Sequence, residues 1–342
     1  GSIYFRTRRF KSSGATIRAK GGDRAARAGA ASGGRIAITY DPAVQQADDL
    51  DSSTLISAAA GKPGANYCVP FGWNQSSGST TVTDSGRWAR PGSVYFTDDL
   101  LLGKALANGA FHGEIMLGSG RNAVIDRGFT VTNGVVVFGN ELTNVTIRGG
   151  VALSGNNAYL ICGANRHLFN YTRTQAFTSD AETAPRLEIG GDLAMTMGAR
   201  IDLNGVLAGT TNGAPAGVMD VKGDITMSGQ AYDAAMGLPA LTSVVYCISC
   251  PTNGTGFHVF CTNVTIGAEA RFDGYGLGYQ AYNSYNNNNG RGAGRGSTTI
   301  GAGHGGAGNG ANAAYGNTYD DEMGPLLPGS SGAAPAARQL AN

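Results

Sequence analysis

The sequence predicts an all-β chain, a parallel β-helix or closely related β-solenoid, on three observations. The stretch Leu187-Glu188-Ile189-Gly190-Gly191-Asp192-Leu193-Ala194-Met195-Thr196 returns as Met219-Asp220-Val221-Lys222-Gly223-Asp224-Ile225-Thr226-Met227-Ser228, with each large apolar residue replaced by another. Two further matches join it. Ala199-Arg200-Ile201-Asp202 resembles Ala270-Arg271-Phe272-Asp273, and Asn144-Val145-Thr146-Ile147 recurs letter for letter at Asn263-Val264-Thr265-Ile266. Finally, 55 of the 342 residues are glycine and only 14% are charged, a composition of short strands and tight turns. Self-similarity built on alternating apolar residues is the mark of stacked repeats.

The alternation explains the stacking. Leu187 and Ile189, then Leu193 and Met195, fall at every second position and so share one face of an extended strand. A strand of about five residues cannot cover that face alone. Gly190-Gly191-Asp192 lets the chain turn before the next strand begins. Successive coils then pair backbone with backbone, and their inward side chains merge into one core.

In chain order, residues 1–40 form basic N-terminal strands. Ile3 and Phe5 alternate with Tyr4 and Arg6, a Ser12-Ser13-Gly14 turn comes next, Ile17 alternates with Arg18, and Arg35-Ile36-Ala37-Ile38-Thr39-Tyr40 comes after a glycine-rich gap. This order, Gly-Ser-Ile-Tyr-Phe, turn, Ala-Thr-Ile-Arg-Ala-Lys-Gly-Gly, gap, Ser-Gly-Gly-Arg-Ile-Ala-Ile, resembles the repeat unit of large secreted glycine-rich bacterial surface proteins, adhesin-like solenoids. The resemblance implies an extracellular or cell-surface location. In that family the unit typically comes after a glycine-rich segment such as Gly301 to Gly332, which here lies at the other end. The tail of one copy would therefore run into the first strand of the next, as a covalent array or as a filament. A chain that opens at Gly1 in mid-pattern further suggests a matured or excised piece of something longer.

Residues 41–113 read as an insertion, with Asp41-Pro42, Lys62-Pro63-Gly64, a Ser/Thr-rich run, and Trp73 and Trp88 as a small local core. Residues 114–280 read as the trunk, with an excursion at 230–256. Residues 281–342 are a Gly/Asn-rich low-complexity segment and C-terminal tail, too poor in apolar side chains to build a core alone. A run of about 20 apolar residues is absent, so no membrane span is expected.

Arg6, Arg8, Arg9, Lys11, Arg18, Lys20, Arg24, Arg27 and Arg35 face a single acid, Asp23, within residues 1–40, although the net charge is +1. A solvated strand face explains the run. So does a basic end that meets Asp48, Asp49, Asp51 or Asp320, Asp321, Glu322 of another copy. Nucleic acid is not expected as a partner, because no aromatic platform or recognised module accompanies the charge. The short Arg-Gly tracts at Arg291 and Arg295, and the glycine pattern from Gly301 to Gly306, reflect loop composition.

The five cysteines are Cys68, Cys162, Cys247, Cys250 and Cys261. A structural disulfide among Cys162, Cys247, Cys250 and Cys261 is one reading, free or intermolecular thiols another, and a zinc site from Cys247, Cys250, His258 and Cys261 a third. Of the Asn-x-Ser/Thr sites at Asn74, Asn144, Asn170, Asn253 and Asn263, two lie inside strand-like repeats and most read as chance, the sites mattering only in a host that glycosylates.

For catalysis the acids weighed are Asp98, Asp99, Asp202 and Asp273, since polysaccharide cleavage needs two facing carboxylates. Asp202 and Asp273 read instead as turn-stabilising residues, with calcium the ion such oxygens would take. No motif marks a nucleophile and no metal ligand set is assigned. The expectation is a non-enzymatic extracellular structural protein that self-associates head to tail into a filament, sheath or adhesive fibre. Ile3, Phe5, Arg8, Arg9, Leu326 and Leu327 stand at the junction between copies. The alternative is a carbohydrate-binding or polysaccharide-cleaving β-helix, with surface polysaccharide as its partner.

Overall fold

A computed structural model describes residues 1–23, 31–61, 91–139, 141–163, 185–204, 217–238, 240–248 and 257–274, and residue 307. These residues are mostly strand, with one short helix and one 3-10 turn, and every pairing between named strands is parallel. The strands stack into four ladders that the chain visits in a recurring order.

Strand β1 (Ser2–Arg6) opens ladder one and β2 (Thr16–Arg18) opens ladder four; β3 (Arg35–Thr39) and β4 (Leu55–Ser57) repeat the pair. β5 (Ser93–Phe96) extends ladder one, α1 (Leu102–Ala105) comes next, and β6 (His112–Leu117) starts on ladder four and ends against β5. Ladder two then begins with β7 (Asn122–Ile125), and β8 (Phe129–Phe138) runs along ladder three and bends onto ladder four. β9 (Asn144–Ile147) and β10 (Val151–Cys162) take the same course. In the next turn the long strand is split in two, giving β11 (Arg186–Ile189), β12 (Leu193–Thr196) and β13 (Arg200–Asn204) on ladders two, three and four. β14 (Gly217–Val221), β15 (Ile225–Met227) and β16 (Ser243–Ile248) repeat it, and β17 (Phe257–Phe260), β18 (Val264–Ile266) and β19 (Ala270–Asp273) close the described stack.

The apolar alternation read from sequence sets which side chains point inward. On ladder two, Ala123, Val145, Leu187 and Met219 lie in one column and Ile125, Ile147, Ile189 and Val221 in another, all buried. Ladder three adds Phe129, Val151, Leu193 and Ile225, and ladder four adds Val136, Leu160, Ile201 and Val245. These columns belong to one continuous core that also takes in Ile36, Ile38 and Ile56 from the N-terminal strands. A second, smaller cluster, Val135, Val137, Tyr159 and Ile161, lies on the opposite face of ladder four.

The corners require glycine. A Cβ on Gly34 would stand 1.7 Å from the Gly1 carbonyl oxygen, and one on Gly92 would stand 1.6 Å from that of Gly34. No side chain can occupy that approach between adjacent turns. At the corner between ladders three and four, Met197 and Gly198 both have positive φ, 56° and 85°. The turn there is tight enough to hold a non-glycine residue in the left-handed region.

The repeats map onto this architecture unevenly. Leu187 pairs with Met219 and Leu193 with Ile225, so the match between 187–196 and 219–228 is a true register. Arg200 and Arg271 both pair with Val244 from opposite sides, which places the two Ala-Arg-x-Asp segments two turns apart on ladder four. The letter-for-letter match is different: Asn144–Ile147 lies on ladder two, whereas Val264–Ile266 lies on ladder three. Four residues specify an inward-outward alternation but not which ladder uses it. The described parts of 41–113 are likewise not an insertion. Leu55–Ser57, Ser93–Phe96 and His112 pair in the same ladders as their neighbours. The excursion expected over 230–256 is narrower, because Ser243–Ile248 is a ladder strand and the bridges Gln230 to Leu241 and Asp233 to Leu238 close a small antiparallel loop before it. Trp73 and Trp88 lie outside the described residues. Among the described residues no helix is long and apolar enough to cross a membrane.

The columns predict a graded response at ladder two. Ile189→Val should cost about 0.5–1.5 kcal/mol and Ile189→Ala about 2–5 kcal/mol, while Glu188→Ala, on the outward side of the same strand, should stay within about 0.5 kcal/mol. Urea unfolding of the three variants checks the order.

Candidate association surfaces

The stack has two poles. At the N-terminal pole, among the described residues, β1 pairs on one side only, with β3, and β2 pairs only with β4. Ile3 pairs with Ile36 and Phe5 with Ile38, so both stand in the inward columns. Ile38 is fully buried, whereas Phe5 is 36% exposed, since among the described residues β1 has a neighbour on one side only. Its ring rests on Phe10 at 5.5 Å. Tyr4 points outward and is 65% exposed.

The basic residues of this pole divide into two groups. The Arg9 guanidinium donates Nε to Asp49 Oδ2 at 2.6 Å and Nη2 to Asp49 Oδ1 at 2.7 Å and Gln46 Oε1 at 3.0 Å. This fork holds the Asp49 carboxyl below its ordinary value. Lys104 takes Asp48 at 2.7 Å, and Asp51 accepts from the Ser53 backbone and hydroxyl. Two of the acids offered as partners for another copy, Asp48 and Asp49, are thus paired to bases of their own chain, and Arg9 is spent on a local tie. Arg6, Arg8 and Arg18 have no carboxylate partner among the described residues. Arg24, Arg27, Asp320, Asp321, Glu322, Leu326 and Leu327 lie outside those residues.

At the other pole β17, β18 and β19 each pair on one side only among the described residues. Val264 and Ile266 stand in the inward columns of ladder three, opposite Ile225 and Met227. They are 48% and 49% exposed where Ile225 and Met227 are fully buried. Phe260, on the outward side of ladder two, is also exposed.

The acids weighed for chemistry each have a partner of their own. Asp98 accepts the Tyr40 hydroxyl at 2.5 Å, and Asp99 Oδ2 accepts the Val124 backbone N–H at 2.7 Å. Asp202 is a mid-strand residue of β13 rather than a turn residue. Its carboxylate receives a two-pronged contact from Arg200, 2.6 Å from Nε and 2.9 Å from Nη2, with both side chains buried and the guanidinium 4.4 Å from the centre of the Tyr246 ring. Asp273 repeats the arrangement with Arg271 at 3.2 Å on a more open rung. Sequence reasoning missed these dyads, although Arg-x-Asp in both segments puts the two side chains on one face of a strand.

The expected disulfide is corrected: Cys162, Cys247 and Cys261 are free thiols, and Cys250 lies outside the described residues. Cys162 and Cys247 both pair with Leu203, from opposite sides, and therefore stand two strand spacings apart, roughly 9.5 Å. That exceeds the reach of a disulfide. Burial pushes the Cys162 thiol up to about 12 and the Cys247 thiol, with a contribution from Asp273, to about 11. Nor do Cys247 and His258 converge, since the first stands in the inward column of ladder four and the second on the outward side of ladder two. No cluster of three metal-ligating side chains occurs among the described residues.

Comparison of the chain with protein-family models, with curated proteins and with solved structures finds no match.

The buried groups can be tested in two ways. Arg200→Ala should destabilise the chain by about 3–5 kcal/mol by leaving a carboxylate buried and unpaired, whereas Arg200→Met combined with Asp202→Leu should come out near neutral; denaturant unfolding checks both. Iodoacetamide at neutral pH should leave Cys162 unmodified in the folded chain and modify it after unfolding, as read by peptide mass mapping.

Proposed function

We propose that this chain is a parallel β-helix, a β-solenoid, that works as a non-enzymatic structural subunit at the cell surface and associates head to tail into a filament, sheath or adhesive fibre. The supporting observation is the openness of both poles. Phe5 at one end and Val264 and Ile266 at the other are inward residues left partly exposed, on strands that pair on one side only among the described residues. Such edges recruit another chain unless something covers them. The resemblance of residues 1–40 to units of secreted surface solenoids points the same way.

The ladders limit how two copies can meet. Ladder four runs through both poles, so β19 of one copy can continue onto β2 of the next. Ladder one ends at β1, whose outer edge is left for the C-terminal tail of the preceding copy, with Leu326 and Leu327 against Ile3 and Phe5. Arg8 supplies charge at the rim, where it governs encounter rate and orientation more than affinity. Arg9 braces the surface through Asp49 and serves the junction indirectly.

Negative-stain imaging and sedimentation across a concentration series test the reading. The wild-type chain should form elongated assemblies. A variant combining Ile3→Asp, Phe5→Asp and removal of residues 324–342 should remain folded by circular dichroism and sediment as a monomer. Unchanged assembly in that variant would overturn the junction.

A further inference from the structure

We propose that the outward face of ladder one binds an acidic polysaccharide, with Tyr4 and Tyr95 stacking on its sugar rings and Arg6 and Arg35 taking its carboxylates.

The register assembles the face. Tyr4 pairs with Ala37 and Ala37 with Tyr95, so these three stand in one column across β1, β3 and β5. Their strand neighbours, Ile36 and Ile38 on β3 and Val94 and Phe96 on β5, belong to the core, so the column points away from it. Tyr4 and Tyr95 are two strand spacings apart, roughly 9.5 Å at the backbone, and the small side chain of Ala37 leaves a shelf between them. Tyr4 is 65% exposed. Tyr95 is half-buried, and its hydroxyl lies over Gly118, just past β6, where a Cβ would overlap the oxygen. Glycine at that position lets the ring lie along the sheet as a platform.

Charge flanks the rings. Arg35 comes two residues before Ala37 on β3, and Arg6 two residues after Tyr4 on β1. Alternation puts both on the outward face, and both are exposed. Neither has a carboxylate partner among the described residues. Arg9, Arg186 and Arg200, in contrast, are held by Asp49, Asp220 and Asp202. The acid that this face does carry, Glu114, is half-buried and stands two spacings from Arg35, beyond Ser93.

The combination selects a ligand that is both a ring and an anion. A guanidinium fork matches a carboxylate in geometry as well as in charge, and a tyrosine ring offers an apolar surface to the C–H side of a sugar. Arg35 pairs with Ser2, four residues before Arg6, which sets the two arginines roughly 14 Å apart at the backbone. One sugar ring does not span that distance, so the ligand is a polymer with acidic rings at intervals. Nucleic acid fits less well, because binding carried by phosphates draws on many cations along the backbone, and this face offers two. The face lies on the flank of the stack and uses no strand edge. A copy added at either pole leaves it open, and the site does not depend on such a copy.

Binding of the full chain to polygalacturonate and to hyaluronan tests the site, with neutral dextran and single-stranded DNA as comparisons and the protein diluted until light scattering reports a monomer. The wild-type chain should bind at least one of the acidic polymers, more weakly as salt is raised, and should not bind dextran. Tyr4→Ala and Tyr95→Ala should each weaken binding about tenfold, and Tyr95→Phe should keep it. Arg6→Gln combined with Arg35→Gln should weaken it by more than about tenfold, whereas Arg18→Gln, at an exposed base on ladder four, should leave it unchanged. Circular dichroism checks that the variants are folded. Failure of the wild-type chain to bind either acidic polymer would overturn the proposal, as would binding untouched by the tyrosine and arginine variants. Equal binding to dextran, an equal loss in Arg18→Gln, or tighter binding to DNA would overturn it too, the last by making the ligand a nucleic acid. Because the readout is taken on monomers, each of these outcomes leaves the association of copies to be judged by its own imaging test.

Discussion

Everything in this structure depends on one geometric demand: an inward side chain on a short strand is covered only when strands above and below it hold the same register. A strand this short cannot enclose two apolar side chains by itself. Stacked about 4.8 Å apart in parallel, such strands can, and columns such as Val145, Leu187 and Met219 reach full burial while every second residue remains available to solvent. The demand also fixes the corners. Turns at that spacing bring backbone onto backbone at Gly1, Gly34 and Gly92, so glycine enters the sequence as a steric necessity and not merely as a flexible filler.

The same demand explains what could be read in advance. Alternation is written in the side chains themselves, so the all-β parallel character and the pairing of 187–196 with 219–228 were legible. Which ladder a strand joins is decided by the path taken since the previous corner, and that path is not encoded in four residues. The match between Asn144–Ile147 and Asn263–Ile266 therefore indicated similarity without adjacency. The stretch 41–113 failed for the opposite reason: short strands such as Leu55–Ser57 bring only two or three alternating positions, too few to stand out among turn residues.

The candidate surfaces were legible in part. The inward residues of the first strand, Ile3 and Phe5, are visible in sequence as alternating apolar positions. The partners of charged side chains are not, because Arg9 and Asp49 are far apart in the chain and a turn of the fold brings them together. The cysteines and aspartates show the same limit. Residue types that suggest a disulfide, a zinc site or a pair of catalytic acids stand two strand spacings apart in one column, as Cys162 and Cys247 do, lie on different ladders, as Cys247 and His258 do, or are tied up pairwise, as Arg200 and Asp202 are beside Tyr246.

The length of chain between partners on ladder two nearly doubles from one turn, Asn122 to Asn144, to the next, Asn144 to Arg186, while the pairing within each strand keeps step. The register on ladder two is thus kept across unequal lengths of intervening chain, whereas a single residue gained inside Leu187–Ile189 would turn the apolar side of that strand to water. Insertions and deletions between the strands of such a chain are therefore far better tolerated than any inside them, because only the latter change which side chains meet the core.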